Sequence, residues 1–399
     1  MNKYSSSKPV ISTFAEEPAA ARLDVGGFRE VSMRGTGCRM MVGWAALAVA
    51  LTTALAAFGA AAAVAPESTP HDYVIKDFRF HTGETVPELK IHYYTLGTPH
   101  RDAAGRIDNA VLLLHGTGGT GRQFAAPQFA DVLLVPGGLL DPATHFVIMP
   151  DGIGHGGSSK PSDGLRMKFP RYDYADMVAA QHELTSKGLG VAQLRLILGT
   201  SMGCMHIFVW AETYPAGAKA LMPLACLPVP LAGRNRLWRA MSIDAIKADP
   251  AWQGGDYATQ PKMGLLAAED LVLLVGAAPM NMQKALPTRD AADAYAAERP
   301  PAGVAHAEAN DMLYYLDASR TYDPAPNLEK ITAPMTWVNS TDDFINPPEL
   351  RIAEREAKRL KTGKFVMIQA TPDTHGHGTH TWAVFWKDEL AALLKRSGG

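Results

Sequence analysis

Six short apolar runs recur along the chain, at 110–114, 146–149, 194–198, 220–224, 335–339 and 365–368, and they restrict the fold more than any other feature. A run with little polar alternation is the mark of a strand buried on both faces. The fourth, interrupted by Pro223, is the weakest. Helical stretches lie between them. Residues 174–187 start acidic and stop at Lys187-Gly188, 202–214 is apolar and ends before Pro215, 348–360 has a mixed-charge face, and 382–395 closes the chain. Strands alternating with helices predict a mostly parallel sheet covered by helices on both faces. Ahead of it, 73–80 and 89–95 alternate around Thr82-Gly83-Glu84 and predict an antiparallel hairpin. The stretch 228–326 departs from the rhythm. It has a helical pattern rich in Met, Ala and Leu, with breaks at Pro279, Pro287 and Pro300-Pro301, and reads as a helical cap inserted between strands. There is no internal repeat.

The 399 residues suit one large α/β domain or two to three smaller units. With 47% apolar and 20% charged residues the chain can bury a large core, which excludes wholesale disorder. The net charge is −2 and Lys and Arg are not clustered, so nothing here would neutralise a nucleic-acid backbone. The three cysteines, Cys38, Cys204 and Cys226, form neither a disulfide framework nor a C-x-x-C metal pair. Cys204 and Cys226 could be bridged only if the fold places them together; the preferred reading is two small, buried, apolar side chains.

Residues 40–66 hold no charge. Arg34 and Arg39 precede them, Glu67 follows, and the stretch turns from Ala and Leu to small residues at 60–65. A basic flank, an apolar stretch and an A-x-A-like end describe a secretory signal, cut after Ala63 or Ala65. The rival readings are an uncleaved anchor, since the run could span a bilayer, and a buried helix. Residues 1–32 look irregular, and Met33 or Met40 would be a more ordinary start. No second such segment occurs. From about Glu67 onward the expectation is a periplasmic or secreted, water-soluble unit with no stable membrane association once the signal is removed.

Gly199-Thr200-Ser201-Met202-Gly203 follows one predicted strand and opens a helix, which is the context that gives G-x-S-x-G its meaning. The small flanking residues allow a sharp turn that lifts the Ser201 hydroxyl above the strand ends, over a helix amino terminus. The alternative is a tight turn with a structural serine. A serine hydroxyl needs a base, and the base needs an orienting group. In this architecture the acid and then the histidine follow in the chain. Asp343 is the preferred acid, after strand 335–339 and four residues before Pro347, with Asp342 the fallback. His377 is the preferred base, between two glycines after the last strand, with His375 and His380 as rivals. His206, inside the elbow helix, reads as a packing or hydrogen-bonding residue. The oxyanion donors should be the backbone amides of Met202 and Thr117.

Two other patterns compete. Gly116-Thr117-Gly118-Gly119-Thr120-Gly121 fits G-x-G-x-x-G, but a hairpin precedes it and Asp151 is misplaced for a ribose contact, so no dinucleotide is expected. His375, His377 and His380 suggest a zinc cluster, but Thr379 stands where an acid would be needed and few residues remain to complete it. No metal and no cofactor are expected.

Over about 75–395 these residues resemble the α/β-hydrolase superfamily, within it the homoserine O-acetyltransferase-like branch. The elbow 199–206 resembles that branch's Gly-Gly-Ser-Met-Gly-Gly-Met-Gln, and Phe169-Pro170, 176–181 and 249–257 resemble its stretches before the elbow strand and in its cap. The resemblance implies Ser201 as nucleophile, Asp343 as acid and His377 as base. It leaves the oligomeric state open, dimers being common in the branch. One departure concerns the substrate. After Pro261-Lys262-Met263-Gly264-Leu265, residues 271–278 carry no Arg, where a carboxylated acceptor would call for a bidentate cation. Acetyl-CoA is also a cytoplasmic donor. The expectation is therefore an exported serine hydrolase acting on a small-molecule acyl ester, lactone or amide. The second reading is an O-acyltransferase, and the third a non-catalytic binding protein on the same fold.

Overall fold

In the computed structural model, which describes residues 67–398, the first five apolar runs become inner, fully buried strands of one eight-stranded sheet, whereas the last, at 365–368, forms an edge strand that is only partly buried, since it has a neighbour on one side alone. The expected signal, with Cys38, lies outside the described residues. The hairpin comes first, as β1 (Thr69–Arg79) and β2 (Thr85–Leu96). Then follow β3 (Ala110–Leu114), β4 (Phe146–Pro150), β5 (Leu196–Thr200), β6 (Leu221–Leu224), β7 (Met335–Ser340) and β8 (Gly363–Ile368). The spatial order is β1-β2-β4-β3-β5-β6-β7-β8. The β1–β2 and β2–β4 pairs are antiparallel, and every other pair is parallel.

Successive side chains of a strand point to opposite faces. Leu112, Leu114, Ile148 and Ile197 accordingly join the core on one face with Phe208 and Trp210. Val111, Leu113, Val147, Leu196 and Leu198 join the other with Phe129 and Trp386. The helices α1 (Pro127–Leu133) and α10 (Lys387–Arg396) cover the second face, while α2 (Tyr174–Glu183), α3 (Met202–Thr213) and α9 (Ile352–Ala357) cover the first. Because β4 lies on one side of β3 and β5 on the other, the chain reverses its direction of travel across the sheet at β3. The crevice at the carboxyl ends of β3 and β5 is therefore where a ligand site belongs in an open α/β sheet.

Between β6 and β7 the chain runs through five helices, α4 (Gly233–Ala248), α5 (Lys262–Gly276), α6 (Pro279–Ala285), α7 (Arg289–Val304) and α8 (Ala309–Asp317). They have a core of their own around Trp238, Ile246, Leu265 and Leu313. Pro279 opens α6, where its missing N–H costs nothing. Pro300 and Pro301, expected to break a helix, instead lie inside α7.

Other expected helices are shorter than the pattern implied. α2 stops at Glu183, where the Thr185 and Ser186 hydroxyls donate to the Gln181 and His182 carbonyls and the chain continues as a π turn. The stretch 348–360 is divided by Arg351, which adopts a left-handed φ of 52°. The expected helix at 382–395 begins only at Lys387. Among the described residues, no single helix is long and apolar enough to cross a membrane.

Candidate active site

The elbow forms because glycine occupies the two positions where a side chain could not fit. A Cβ on Gly203 would overlap the Leu114 carbonyl and come 2.7 Å from the Leu114 Cβ, and one on Gly199 would overlap Gly203. This close approach lets α3 start directly over the end of β5. Ser201 occupies the turn with φ 52° and ψ −106°, a strained conformation for a residue with a side chain. Its amide donates to the Leu224 carbonyl at 2.8 Å, fixing the turn to β6.

The structure brings Ser201, His377 and Asp343 together. His377 Nε2 lies 2.8 Å from Ser201 Oγ, and His377 Nδ1 lies 2.9 Å from Asp343 Oδ2. A carboxylate can only accept, so Nδ1 carries the proton and Nε2 is left to accept from the serine hydroxyl. Asp343 is fully buried and accepts three further bonds. Two come from the amides of Ile345 and Asn346, at 2.8 and 3.0 Å, and the third from Asn346 Nδ2 at 2.9 Å. Burial alone would push its carboxyl up. The attraction of His377 in its protonated form, the hydrogen bond to it and the bonds from Asn346 outweigh burial and hold it below the usual carboxylate value.

The rival residues have other partners. Asp342 accepts from the Thr374 hydroxyl and the Gly376 amide, so it shapes the histidine loop rather than touching the imidazole. His375 stacks on Trp382 at 4.1 Å. His380 is partly buried behind His377, and the loss of solvent around it pulls its imidazole down to about 3, keeping it neutral. His206 packs edge-on against Tyr174, and its Nδ1 lies 3.1 Å from Gln181 Nε2.

Thr117 follows β3, and the glycine before it sits against the elbow, since a Cβ on Gly116 would lie 3.5 Å from Ser201 Cβ. Gln123 clamps this loop, accepting from the Gly116 amide at 3.1 Å and donating to Thr200 Oγ1 at 2.7 Å. Among the described residues the amides of Thr117 and Met202 donate to no protein acceptor, as free oxyanion donors must. The G-x-G-x-x-G segment is tied down internally. Asp151, the acid weighed for a ribose, accepts from the Gly121 and Gly157 amides.

The sequence reading requires two corrections. Cys204 and Cys226 are not separate thiols but a disulfide, with Cα atoms 5.8 Å apart. Their spacing of 22 residues showed nothing, because α3 and β6 bring them together only in the folded chain. The cation missing from 271–278 also has a counterpart elsewhere in the cap. A cavity of about 500 Å³ over Ser201 and His377 is lined by Arg234 and Arg239 of α4 as well as by Leu227, Leu231 and Ile352. Arg239 is 2% exposed, has no carboxylate partner among the described residues, and leaves Nη1 without an acceptor. Its Nε donates to Asn235 Oδ1, and burial pulls the guanidinium down. The sequence pattern directed attention to α5 for this cation, whereas it comes from α4. Asn346, three residues beyond Asp343, was also missed. An Asx turn places it there, and its amide also donates to the Ala225 carbonyl.

Comparison with known proteins agrees with this architecture. The alpha/beta hydrolase fold family matches residues 109–371. A probable acyltransferase of Methanothermobacter thermautotrophicus is 34% identical over 53% of this chain, and the match spans 64% of that protein. A homoserine O-acetyltransferase of Citrifermentans bemidjiense is 30% identical over 75% of this chain and 90% of its own length. Among solved structures, an acetylester hydrolase from Corynebacterium glutamicum superposes with a TM-score of 0.73 over 82% of this chain and 96% of its own, at 20% identity, a likeness of fold. The chain belongs to the α/β-hydrolase family of enzymes, in its homoserine O-acetyltransferase-like branch. Both of the relatives named above at 30% identity or more carry acyltransferase names.

Proposed function

We propose that this chain is an exported serine hydrolase that opens a small or medium acyl ester, lactone or amide through an acyl-enzyme. The observation that carries the reading is the unbroken relay Ser201–His377–Asp343, with both links at 2.8–2.9 Å. Ser201 Oγ attacks the carbonyl carbon while His377 Nε2 takes its proton. The amides of Met202 and Thr117 receive the developing oxyanion. His377 then protonates the leaving group, and Asp343 holds the tautomer and steadies the imidazolium. Water, activated by the same imidazole, releases the acid. The cavity size falls in the range that suits a small organic substrate, and its mostly apolar lining suits an acyl chain. Export is supported by the disulfide, since such bonds persist in oxidising compartments.

Arg239 favours a second reading, acyl transfer to an alcohol that bears a carboxylate. A buried guanidinium with no carboxylate partner among the described residues is costly unless an anion joins it. The two readings share the acyl-enzyme and differ in what resolves it.

The test is fluorophosphonate labelling of Ser201, with ester hydrolysis by wild type and Ser201→Ala, followed by partitioning between water and added hydroxy acids. Activity undiminished in Ser201→Ala would overturn the mechanism. Hydrolysis that stays dominant at high acceptor concentration would overturn the transferase reading.

A further inference from the structure

The disulfide lies within the site rather than on the periphery. Cys204 is the third residue after Ser201, in the first turn of α3, and Cys226 is the second residue after β6 and borders the cavity. Both are buried, at 0% and 2% exposure. The segment between β6 and the cavity wall connects the parts of the site. Leu224 accepts the Ser201 amide. Ala225, at a left-handed φ of 64°, gives its carbonyl to Asn346, which also binds Asp343. The Cys226 carbonyl accepts from Trp337 Nε1 and Asn339 Nδ2, and its amide donates to Asn339 Oδ1. Within 227–235, all but Pro228 then line one wall of the cavity, running into the first turn of α4.

We propose that the Cys204–Cys226 disulfide is a positioning cross-link that completes the substrate cavity only in an oxidising compartment. The proposal rests on the serine-hydrolase reading of the same cavity. The hydrogen bonds around 224–226 hold the acid loop and the turn of Ser201 whether or not the sulfurs are joined. What only the covalent bond supplies is a fixed distance between the nucleophile helix and the start of the wall at 227–235. When a dithiol reductant enters through the cavity, its thiolate attacks one sulfur. The Cys204–Cys226 bond breaks, the reductant closes its own disulfide, and two electrons and two protons pass to the cysteines. The freed wall then loses its register with Ser201, so discrimination among acyl chains falls more than the intrinsic reactivity of the serine.

The experiment uses the full chain in a Cys38→Ser background, so that every thiol counted comes from this pair. Oxidised enzyme is compared with enzyme reduced under native conditions, alkylated and verified by mass, and with Cys204→Ala/Cys226→Ala. The readouts are kcat/KM for acetyl, butyryl and hexanoyl p-nitrophenyl esters, fluorophosphonate labelling of Ser201, and Tm. Reduction should lower kcat/KM for the best ester about ten-fold, since small displacements of a bound substrate are costly. It should also flatten the preference among acyl lengths, keep Ser201 labelling within a few-fold, and reverse on reoxidation before alkylation. Reduced enzyme with unchanged acyl preference refutes the proposal, whether its rate is unchanged or falls only in step with loss of fold. If the double variant does not fold, reduction and reoxidation of the folded wild type decide by the same criterion. An oxidised enzyme that neither labels nor hydrolyses any ester would instead overturn the serine-hydrolase reading itself.

Discussion

Replacing Asp343 by Asn tests the relay at its most buried point, and the hydrogen bonds around the carboxylate set the expected size. It accepts on both oxygens, from the Ile345 and Asn346 amides on Oδ1 and from His377 Nδ1 and Asn346 Nδ2 on Oδ2. An asparagine must turn its NH₂ toward one of these sets. Against Oδ1's partners it would oppose two backbone donors that cannot reverse. It therefore faces His377, which can respond by moving its proton from Nδ1 to Nε2. Nε2–H then points at Ser201 Oγ and can no longer accept its proton. A wrong tautomer of this kind costs about 10⁴ in kcat, or about 5 kcal/mol of transition-state stabilisation. The fold loses less, about 1 kcal/mol, because Asn346 Nδ2 keeps the Ala225 carbonyl. The assay is kcat/KM for p-nitrophenyl acetate with Tm recorded in parallel. Asp342→Asn serves as the control, because Asp342 touches the histidine loop and not the imidazole. A loss below ten-fold in folded Asp343→Asn, or a loss as large in Asp342→Asn, would refute the reasoning.

Three further outcomes are expected. Arg239→Met should leave neutral esters within a few-fold while lowering kcat/KM at least ten-fold for esters or acceptors that carry a carboxylate; equal losses on both would show that Arg239 serves packing alone. Gly203→Ala should destabilise the chain by about 3 kcal/mol in urea unfolding, because its methyl meets the backbone of β3 and not a side chain that can swing away. Burial pushes the Asp311 carboxyl up to about 6, so the folded chain holds that proton more tightly than the unfolded one. This group's contribution to stability therefore falls as pH rises from about 4 to 6, by up to about 3 kcal/mol. Asp311→Asn keeps both contacts to Ser162 and should remove that slope; parallel stability curves for wild type and variant would exclude it.

What could be read in the sequence was what is local along the chain. Strands buried on both faces announce themselves by composition, though 365–368 reads the same way and lies at the sheet's edge, and the elbow shows as two glycines around a serine at a strand-to-helix junction. Chain order then leaves few candidates for the acid and the base. Between Asp342 and Asp343 composition cannot decide, because the two differ only in which way the turn after β7 aims them. The disulfide and Arg239 were hidden for a different reason. Each depends on the distance between segments that are neighbours only in the folded chain, α3 against β6 for one and α4 over the elbow for the other. Helix ends were misjudged where hydroxyl side chains or a left-handed residue compete with the helical pattern, as at Thr185 and Arg351.

On the mechanism proposed above, the choice between water and an alcohol at the second step rests with the cap and not with the sheet. The relay, the oxyanion amides and the strained Ser201 all hang on strand ends and the turns that follow them. They would form an acyl-enzyme under either reading. An acceptor alcohol must outcompete water, which is far more concentrated, so it has to be held in place by something the acyl group does not use. Among the described residues the cavity offers one buried cation of that kind, the Arg239 guanidinium, and the wall at 227–235 follows directly on Cys226, which a covalent bond ties to the helix of Ser201. If carboxylated alcohols gain nothing over neutral ones in partitioning, that guanidinium does not bind the acceptor, and water is left as the group that resolves the acyl-enzyme.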